Sequence, residues 1–193
     1  MARKKKEFRP DQEKKDILGK ILLTKKQRQS VLRWALFALV CLFGLILQDV
    51  IMSRISIFGG TTDLVPAFIF AICILQGGES GCIFALASSI IYYYSGSSPG
   101  PFCIPAITIL SVLAAIFRQA YLRKGFSALM LCASVCVIVY ELVTFGIGMF
   151  LGFTYWGRIG GFLITIAMSL ICLPIVYPIL LAIGKIGGET WKE

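Results

Sequence analysis

The segment Lys25–Gln48 reads KKQRQSVLRWALFALVCLFGLILQ, and its change from basic to apolar sequence decides the fold class. Twelve of the 19 Lys and Arg residues lie within the first 33 positions. Beyond them the chain is almost uncharged, and the other basic residues fall mostly in every second gap between apolar runs. Cytoplasmic loops of polytopic membrane proteins accumulate Lys and Arg in this way. The pattern therefore predicts an all-α integral membrane protein with cytoplasmic N- and C-termini.

Composition supports a membrane protein and argues against nucleic-acid binding. The apolar fraction is 58% and the mean hydropathy is +0.84, which is above the usual range for soluble domains. The net charge of +9 could suggest a nucleic-acid partner. However, the first 33 residues, with twelve basic and four acidic side chains, carry most of that charge. A local basic segment next to a membrane predicts contact with anionic lipids, and we expect no nucleic-acid partner.

Six apolar runs follow the basic segment and predict six transmembrane helices. They cover about residues 31–48, 64–76, 80–94, 102–122, 127–153 and 161–183. The predicted organisation is a basic cytoplasmic tail at 1–30, a membrane domain at 31–186 and a cytoplasmic C-terminus at 187–193. In this topology Arg54 and Arg158 are the basic residues on the outer side.

The second and third runs are short for membrane spans. A run of about twelve residues covers roughly 18 Å, against a hydrocarbon core of about 30 Å. The two runs either span with help from their flanks or form a re-entrant hairpin that enters from the outside. Glu79 separates these alternatives, because it is a cytoplasmic turn residue in the first and buried in the second. Burial of Glu79 would be costly, so spanning is favoured.

The tail has two interpretations, and the sequence leaves both open. Its second half repeats apolar residues at helical spacing between lysines, which suits a helix lying on the inner leaflet. The alternative is a disordered anchor that only sets the topology. The predicted membrane-surface residues are Lys4, Lys5, Lys6, Lys14, Lys15, Lys20, Lys25 and Lys26.

Residues typical of enzymes and metal sites are missing from the sequence. The chain has no histidine, and its seven cysteines form no C-x-x-C pair. We therefore expect no metal and no cofactor. The predicted spans contain no paired carboxylates and no serine next to a plausible base. The sequence predicts a protein that is not an enzyme.

One acidic residue and two stripes of small residues are candidates for contacts. Glu141 is the one charge deep in a predicted span, either as a protonated hydrogen-bond donor within the bundle or as a site for a partner or ligand. Small residues at four-residue intervals allow helices to approach closely. They predict either internal packing or the surface of a homodimer or partner. The contact candidates are Glu141, Tyr140, Thr144, Gly148, Gly77 and Gly81.

Several short motifs occur in a characteristic order between Leu47 and Gly152. They are Leu47-Gln48, Ile57-Phe58-Gly59, Thr62-Asp63-Leu64, Gly77 with Gly81, Ser95-Gly96 through Gly100, and Tyr140-Glu141-Leu142. In this half of the chain the sequence resembles the bacterial rod shape-determining MreD family. Two positions depart from that family. Thr62 stands where the family has a proline, and the acidic residue usual before the Ser-Gly turn is missing near Tyr92.

The resemblance implies a non-enzymatic scaffold of the cell-elongation machinery, or elongasome, in the bacterial plasma (inner) membrane. Such a multi-pass protein takes part in cell-shape control and peptidoglycan synthesis. Its implied partners are an MreC-like bitopic protein and, through it, MreB-like filaments, RodA-like proteins and penicillin-binding wall synthases. Asp49 and Asp63 are the candidate residues of the outer loop.

The family fold is similar to the substrate-binding S component of energy-coupling-factor vitamin transporters, which gives the alternative function. An S component needs an outward-facing pocket with a few convergent polar groups. It would also usually carry an Ala-x3-Ala pair on its first helix. Ala35 and Ala38 have the wrong spacing for that pair, which favours the scaffold.

Overall fold

A computed structural model describes residues 25–54, 60–121 and 126–186, and within them the protein is helical. This confirms the all-α class. The α-helices of the described residues are α1 (Lys25–Val50), α2 (Leu64–Gln76), α3 (Gly78–Tyr94), α4 (Cys103–Tyr121), α5 (Phe126–Phe150) and α6 (Ile159–Gly184). Short 3-10 helices at Met52–Arg54 and Trp156–Arg158 follow α1 and precede α6. The tail before Lys25, the Ile57-Phe58-Gly59 motif and the C-terminus after Ile186 lie outside the described residues.

Three helices are long and apolar enough to cross a membrane. They correspond to the segments Gln27–Arg54, Phe126–Phe150 and Trp156–Gly184. Many of their large apolar side chains are exposed, including Phe43, Leu131 and Leu163. An apolar helix that exposes such side chains suits a lipid environment. The fold is therefore compatible with a helical membrane protein.

Helix α2 is the centre of the bundle. Every residue from Leu64 to Leu75 is buried, and α2 contacts each of the other five helices. Its sequence, LVPAFIFAICILQ, is apolar on all sides up to the final Gln76, which predicts burial all round. With 13 residues the helix is only about 20 Å long. This short length is tolerated because protein, rather than lipid, surrounds it.

A tight glycine turn joins α2 to α3. Gly77 and Gly78 have φ angles of 63° and 61°, in the left-handed region that favours glycine. A Cβ atom on Gly81 would lie 3.0 Å from the Cys73 carbonyl oxygen, so the two helices approach closely here. The stripe from Gly81 through Ala85 and Ser89 is buried. Glu79 is exposed next to the turn.

Arg118 caps the far end of α2. Its guanidinium donates a 3.0 Å hydrogen bond to the Leu75 carbonyl oxygen and another hydrogen bond to the Ile74 carbonyl oxygen. The last carbonyl groups of a helix have no intrahelical donor. Arg118 of α4 supplies that donor, which fixes α4 against the C-terminus of α2.

The extended segment before α2 lies directly along α6. A Cβ atom on Gly60 would lie 2.4 Å from the Gly161 carbonyl oxygen. Three residues later, the backbone N–H of Asp63 donates a 3.1 Å hydrogen bond to the Ser169 hydroxyl. These two contacts, one at each end of the segment, hold it on α6.

The Gly60→Ala substitution is expected to destabilise the protein by about 1–3 kcal/mol, because the added methyl group meets backbone that cannot move aside. Thermal unfolding in detergent measures the effect. Gly160→Ala is the matched control, since a Cβ atom at Gly160 has no neighbour within 4 Å. Equal melting temperatures for Gly60→Ala and the unsubstituted protein would contradict this close contact.

Candidate functional site

Gln48 caps the N-terminus of α2 from a neighbouring helix. Its side-chain oxygen accepts hydrogen bonds from the backbone N–H groups of Leu64, at 2.9 Å, and Val65, at 3.0 Å. The first N–H groups of a helix have no intrahelical partner. Asp63 precedes α2 but its side chain forms no capping bond. The side chain of Gln48, near the end of α1, therefore satisfies these buried donors.

Asp63 connects three helices through its carboxylate and its backbone. It accepts hydrogen bonds from the Tyr92 hydroxyl, at 2.9 and 3.0 Å to its two oxygens, and from the Gln48 amide at 3.1 Å. Burial raises the pKa of Asp63 to about 6, while the hydrogen bonds from Tyr92 and Gln48 act to lower the pKa. Together with the Ser169 bond to its backbone, Asp63 links α1, α3 and α6 at the start of α2.

The Ser-Gly turn is attached beside this cluster. The Ser97 hydroxyl donates to the Asp49 carboxylate, and the Ser95 hydroxyl donates a 2.8 Å hydrogen bond to the Tyr92 carbonyl oxygen. Gly96 has a φ angle of 81°, which this turn needs. Asp49 is exposed, and it thus fastens the turn after α3 to the end of α1.

Helix α5 contributes polar groups that lack partners. Glu141 is 6% exposed, and within the described residues it forms no hydrogen bond or ion pair. The Tyr140 hydroxyl, also buried, lies beside the Thr144 hydroxyl, and neither has a hydrogen-bond partner outside this pair within the described residues. Glu141 and Asp63 lie close enough to repel each other when both are ionised. We call the group Gln48, Asp63, Tyr92, Tyr140, Glu141 and Ser169 the polar layer.

The polar layer is suited to holding helix ends and to accepting hydrogen bonds. Its carboxylates have no basic partner in the part of the chain that the structure describes. No group of three or more His, Cys, Asp or Glu residues in that part could hold a metal ion. The Glu141 carboxyl group therefore has free acceptor oxygen atoms. A ligand or partner with a hydrogen-bond donor could bind to them.

The structure separates the contact candidates into two groups. Tyr140 and Glu141 lie in the polar layer, Thr144 is one turn beyond it, and a Cβ atom on Gly148 would lie 3.2 Å from the Thr154 side chain. Gly77 and Gly81 are at the opposite end, in the α2–α3 hairpin. Of the predicted membrane-surface lysines, Lys25 and Lys26 are the first residues of α1, and the structure does not describe their side chains. The others lie wholly outside the described residues.

The sequence alone did not reveal the roles of Tyr92, Ser169 and Arg118. Tyr92 stands in a run with Tyr93 and Tyr94, which is typical of a membrane interface, whereas the structure buries Tyr92 fully and leaves Tyr94 81% exposed. A usable signal was present, because Tyr92 continues the helical spacing of the stripe that contains Gly81, Ala85 and Ser89. Ser169 and Arg118 carried no such local pattern.

The known proteins do not identify this chain. No protein-family model matches it, and no curated protein or solved structure is significantly similar to it. The architecture defines the class, a compact helical bundle with the long apolar helices of a membrane protein. The resemblance to the MreD family rests on the sequence motifs and stays a prediction.

Proposed function

We propose that this protein is a non-enzymatic, six-span scaffold of the bacterial cell-elongation machinery, similar to MreD proteins. One observation carries the proposal. Three of the motifs behind the resemblance are far apart in sequence, yet their residues Gln48, Asp63 and Tyr140-Glu141 all contribute to one polar layer, whereas Gly77 and Gly81 lie at the opposite end of the bundle. The Ser95-Gly96 turn lies beside them. A set of short motifs that meets at one place behaves as a unit, as the motifs of one family would.

Helix directions support the six-span topology of this proposal. Gln48 at the end of α1, Asp63 before α2 and Tyr92 near the end of α3 meet at one end of the bundle. Gly77 and Arg118 lie at the opposite end. Successive helices therefore run in alternating directions. In the proposed orientation the Gly77 end is cytoplasmic, and the Asp63 end faces outward.

The way the polar groups are used favours a scaffold. Gln48 and Asp63 are occupied by bonds that tie α1, α2, α3 and α6 together. A fixed bundle presents a constant surface to partners, which is what a scaffold needs. The S-component alternative is favoured by a different observation, a cavity near the outer end that is partly lined by polar residues.

A lipid-facing groove between α4 and α5 is the proposed partner surface. Its volume is about 470 Å³ and its lining is almost entirely apolar. Small side chains at Ala114, Cys132 and Cys136 lie in it, and larger ones such as Leu131 and Val135 are exposed. Helices associate in lipid through close packing, for which small residues are favourable. The single transmembrane helix of an MreC-like protein is the occupant we propose.

Val135→Trp should fill this groove and reduce the recovery of the bitopic partner at least several-fold. Val135 is 50% exposed, so the larger ring extends into the groove without entering the core. The measurement is affinity purification of tagged protein from its native host in mild detergent, read by quantitative mass spectrometry. Leu163→Trp, at a 58% exposed position on α6, is the matched control and should retain the partner.

The same purification tests the whole proposal. Enrichment of an MreC-like bitopic protein with wall synthases supports the scaffold. Enrichment of two ATPases with a coupling membrane subunit would replace it with the S-component function. If the Val135→Trp variant recovers the bitopic protein equally well, the scaffold function still holds. The α4–α5 groove is then not the partner surface and is filled by lipid chains.

A further inference from the structure

The partly polar cavity near the outer end of the bundle lies between the outer parts of α5 and α6. Its volume is about 370 Å³, within the range of roughly 300–1,000 Å³ typical of small-molecule sites. Half of its lining residues carry a hydroxyl or a charge. The lining consists of Thr61, Phe145, Thr154, Gly157, Arg158, Gly161, Phe162 and Thr165.

Arg158 makes the rim of this cavity positive. In the described part of the chain no carboxylate pairs with its guanidinium, which lies 5.9 Å from the centre of the Tyr155 ring. Arginine binds carboxylate and phosphate groups through two parallel hydrogen bonds. The hydroxyl groups of Thr61 and Thr154 line the same cavity and can donate further hydrogen bonds.

The opposite charge lies one helical turn below. Phe145 follows Glu141 by four residues on α5, and Thr165 precedes Ser169 by four residues on α6. The polar layer is therefore about 6 Å beneath the cavity lining. There, Glu141 is buried without a hydrogen bond or ion pair within the described residues. The buried Tyr140 hydroxyl lies beside it, near both Glu141 and Asp63. The unpartnered Glu141 carboxyl group is the second sign of a ligand.

We propose that this cavity binds a small zwitterion. The anionic group contacts Arg158 at the rim, and the ammonium group points toward Glu141 and Asp63. A simple anion would be repelled by the carboxylates below, and a simple cation would be repelled by Arg158 above. The rings of Phe145 and Phe162, with centroids 4.8 Å apart, lie between these charges, and aromatic faces attract ammonium groups.

The dimensions allow a small ligand to place its anionic group at the rim and its ammonium group at the inner end of the cavity. Arg158 and Thr165 are seven residues apart at the start of α6, which corresponds to about 10 Å along the helix. A linker of a few atoms fits within that depth, and the ammonium group then lies about one helical turn above the level of Glu141. The inference is independent of the scaffold function, since it uses only this cavity and the polar layer.

Calorimetric titration of the purified full-length protein in phosphatidylglycerol nanodiscs tests the inference. The probes are O-phosphoethanolamine and 4-aminobutyrate, each compared with its amine-only and anion-only analogues (ethanolamine and glycerol 3-phosphate, butylamine and butyrate). At least one zwitterion should bind about tenfold or more tightly than both of its analogues. Arg158→Gln should weaken that binding about tenfold or more, whereas Arg54→Gln, the other outer arginine, should not.

Further arms separate the outcomes. Glu141→Gln should reduce the preference for the zwitterion over its anion-only analogue. Loss of probe binding in phosphatidylethanolamine nanodiscs would identify a lipid headgroup as the source of the zwitterion and supports the same chemistry. Failure of both zwitterions to bind would overturn the inference. Equal binding of an anion-only analogue would overturn it too, by showing a plain anion site.

Discussion

Replacing Gln48 with Leu is expected to lower the free energy of unfolding by about 2–4 kcal/mol. The substitution removes the acceptor for the buried N–H groups of Leu64 and Val65 and one donor to Asp63. Each buried polar group left without a partner costs about 1–3 kcal/mol. Because α2 is the centre of the bundle, water cannot reach the N–H groups at its N-terminus to replace the lost hydrogen bonds. Unfolding in mixed micelles of increasing SDS content, followed by circular dichroism, measures the loss.

Two controls make the Gln48 result specific. Ser53→Ala removes an exposed hydroxyl whose one hydrogen bond within the described residues goes to the Asp49 backbone carbonyl, and it should change stability by less than about 0.5 kcal/mol. The double substitution of Gln48→Leu with Asp63→Asn should cost less than the sum of the two single changes, because both residues share one hydrogen-bond network. Strict additivity would show that Gln48 and Asp63 act separately.

The helices themselves were predictable because apolar runs in this sequence are long and sharply bounded. The second run was placed at 64–76, and α2 occupies Leu64–Gln76. Charges and glycines marked most of the other boundaries to within about three residues. The start of α1 is the exception, because the helix extends from the apolar run into the basic segment and begins at Lys25. Hydropathy does not report such polar extensions of a helix.

The central position of α2 does not follow from its sequence, which predicts only a short apolar helix. An apolar helix of 13 residues without a polar face has two solutions, a thin span in lipid or a core surrounded by protein. Composition cannot separate these solutions, since lipid tails and Leu side chains are equally apolar. Only the packing of the other five helices around α2 decides between them.

The polar layer was predictable only in its parts. Gln48 and Asp63 belong to the motifs of the family resemblance, and Glu141 is the one charge deep in a predicted span. Their meeting with Tyr92 and Ser169 depends on contacts across 29 and 106 residues of sequence. Hydrogen bonds of this kind have no local pattern, because the partner is set by how helices stack. The sequence therefore indicates three of these side chains as candidates and does not indicate their partners.

Glu141→Leu is expected to stabilise the protein by about 1–3 kcal/mol and at the same time to reduce its function. Glu141 is 6% exposed and has neither a hydrogen bond nor an ion pair within the described residues. Burying a polar group without a hydrogen bond costs free energy, and an apolar side chain at this position removes that cost. SDS unfolding measures the first effect, and recovery of the bitopic partner or cell width in the native host measures the second.

The value of this prediction lies in the opposite signs of its two parts. If Glu141 were a structural hydrogen-bond donor within the bundle, Leu would lower both stability and function, and Gln would restore both. A carboxylate that binds a ligand or partner behaves differently. Its burial without a hydrogen bond destabilises the folded protein until the hydrogen-bond donor of that ligand or partner binds. Glu141→Gln then recovers part of the stability gain and only part of the function. A less stable Glu141→Leu protein would therefore assign Glu141 to the fold, and a more stable, inactive one would assign it to the site.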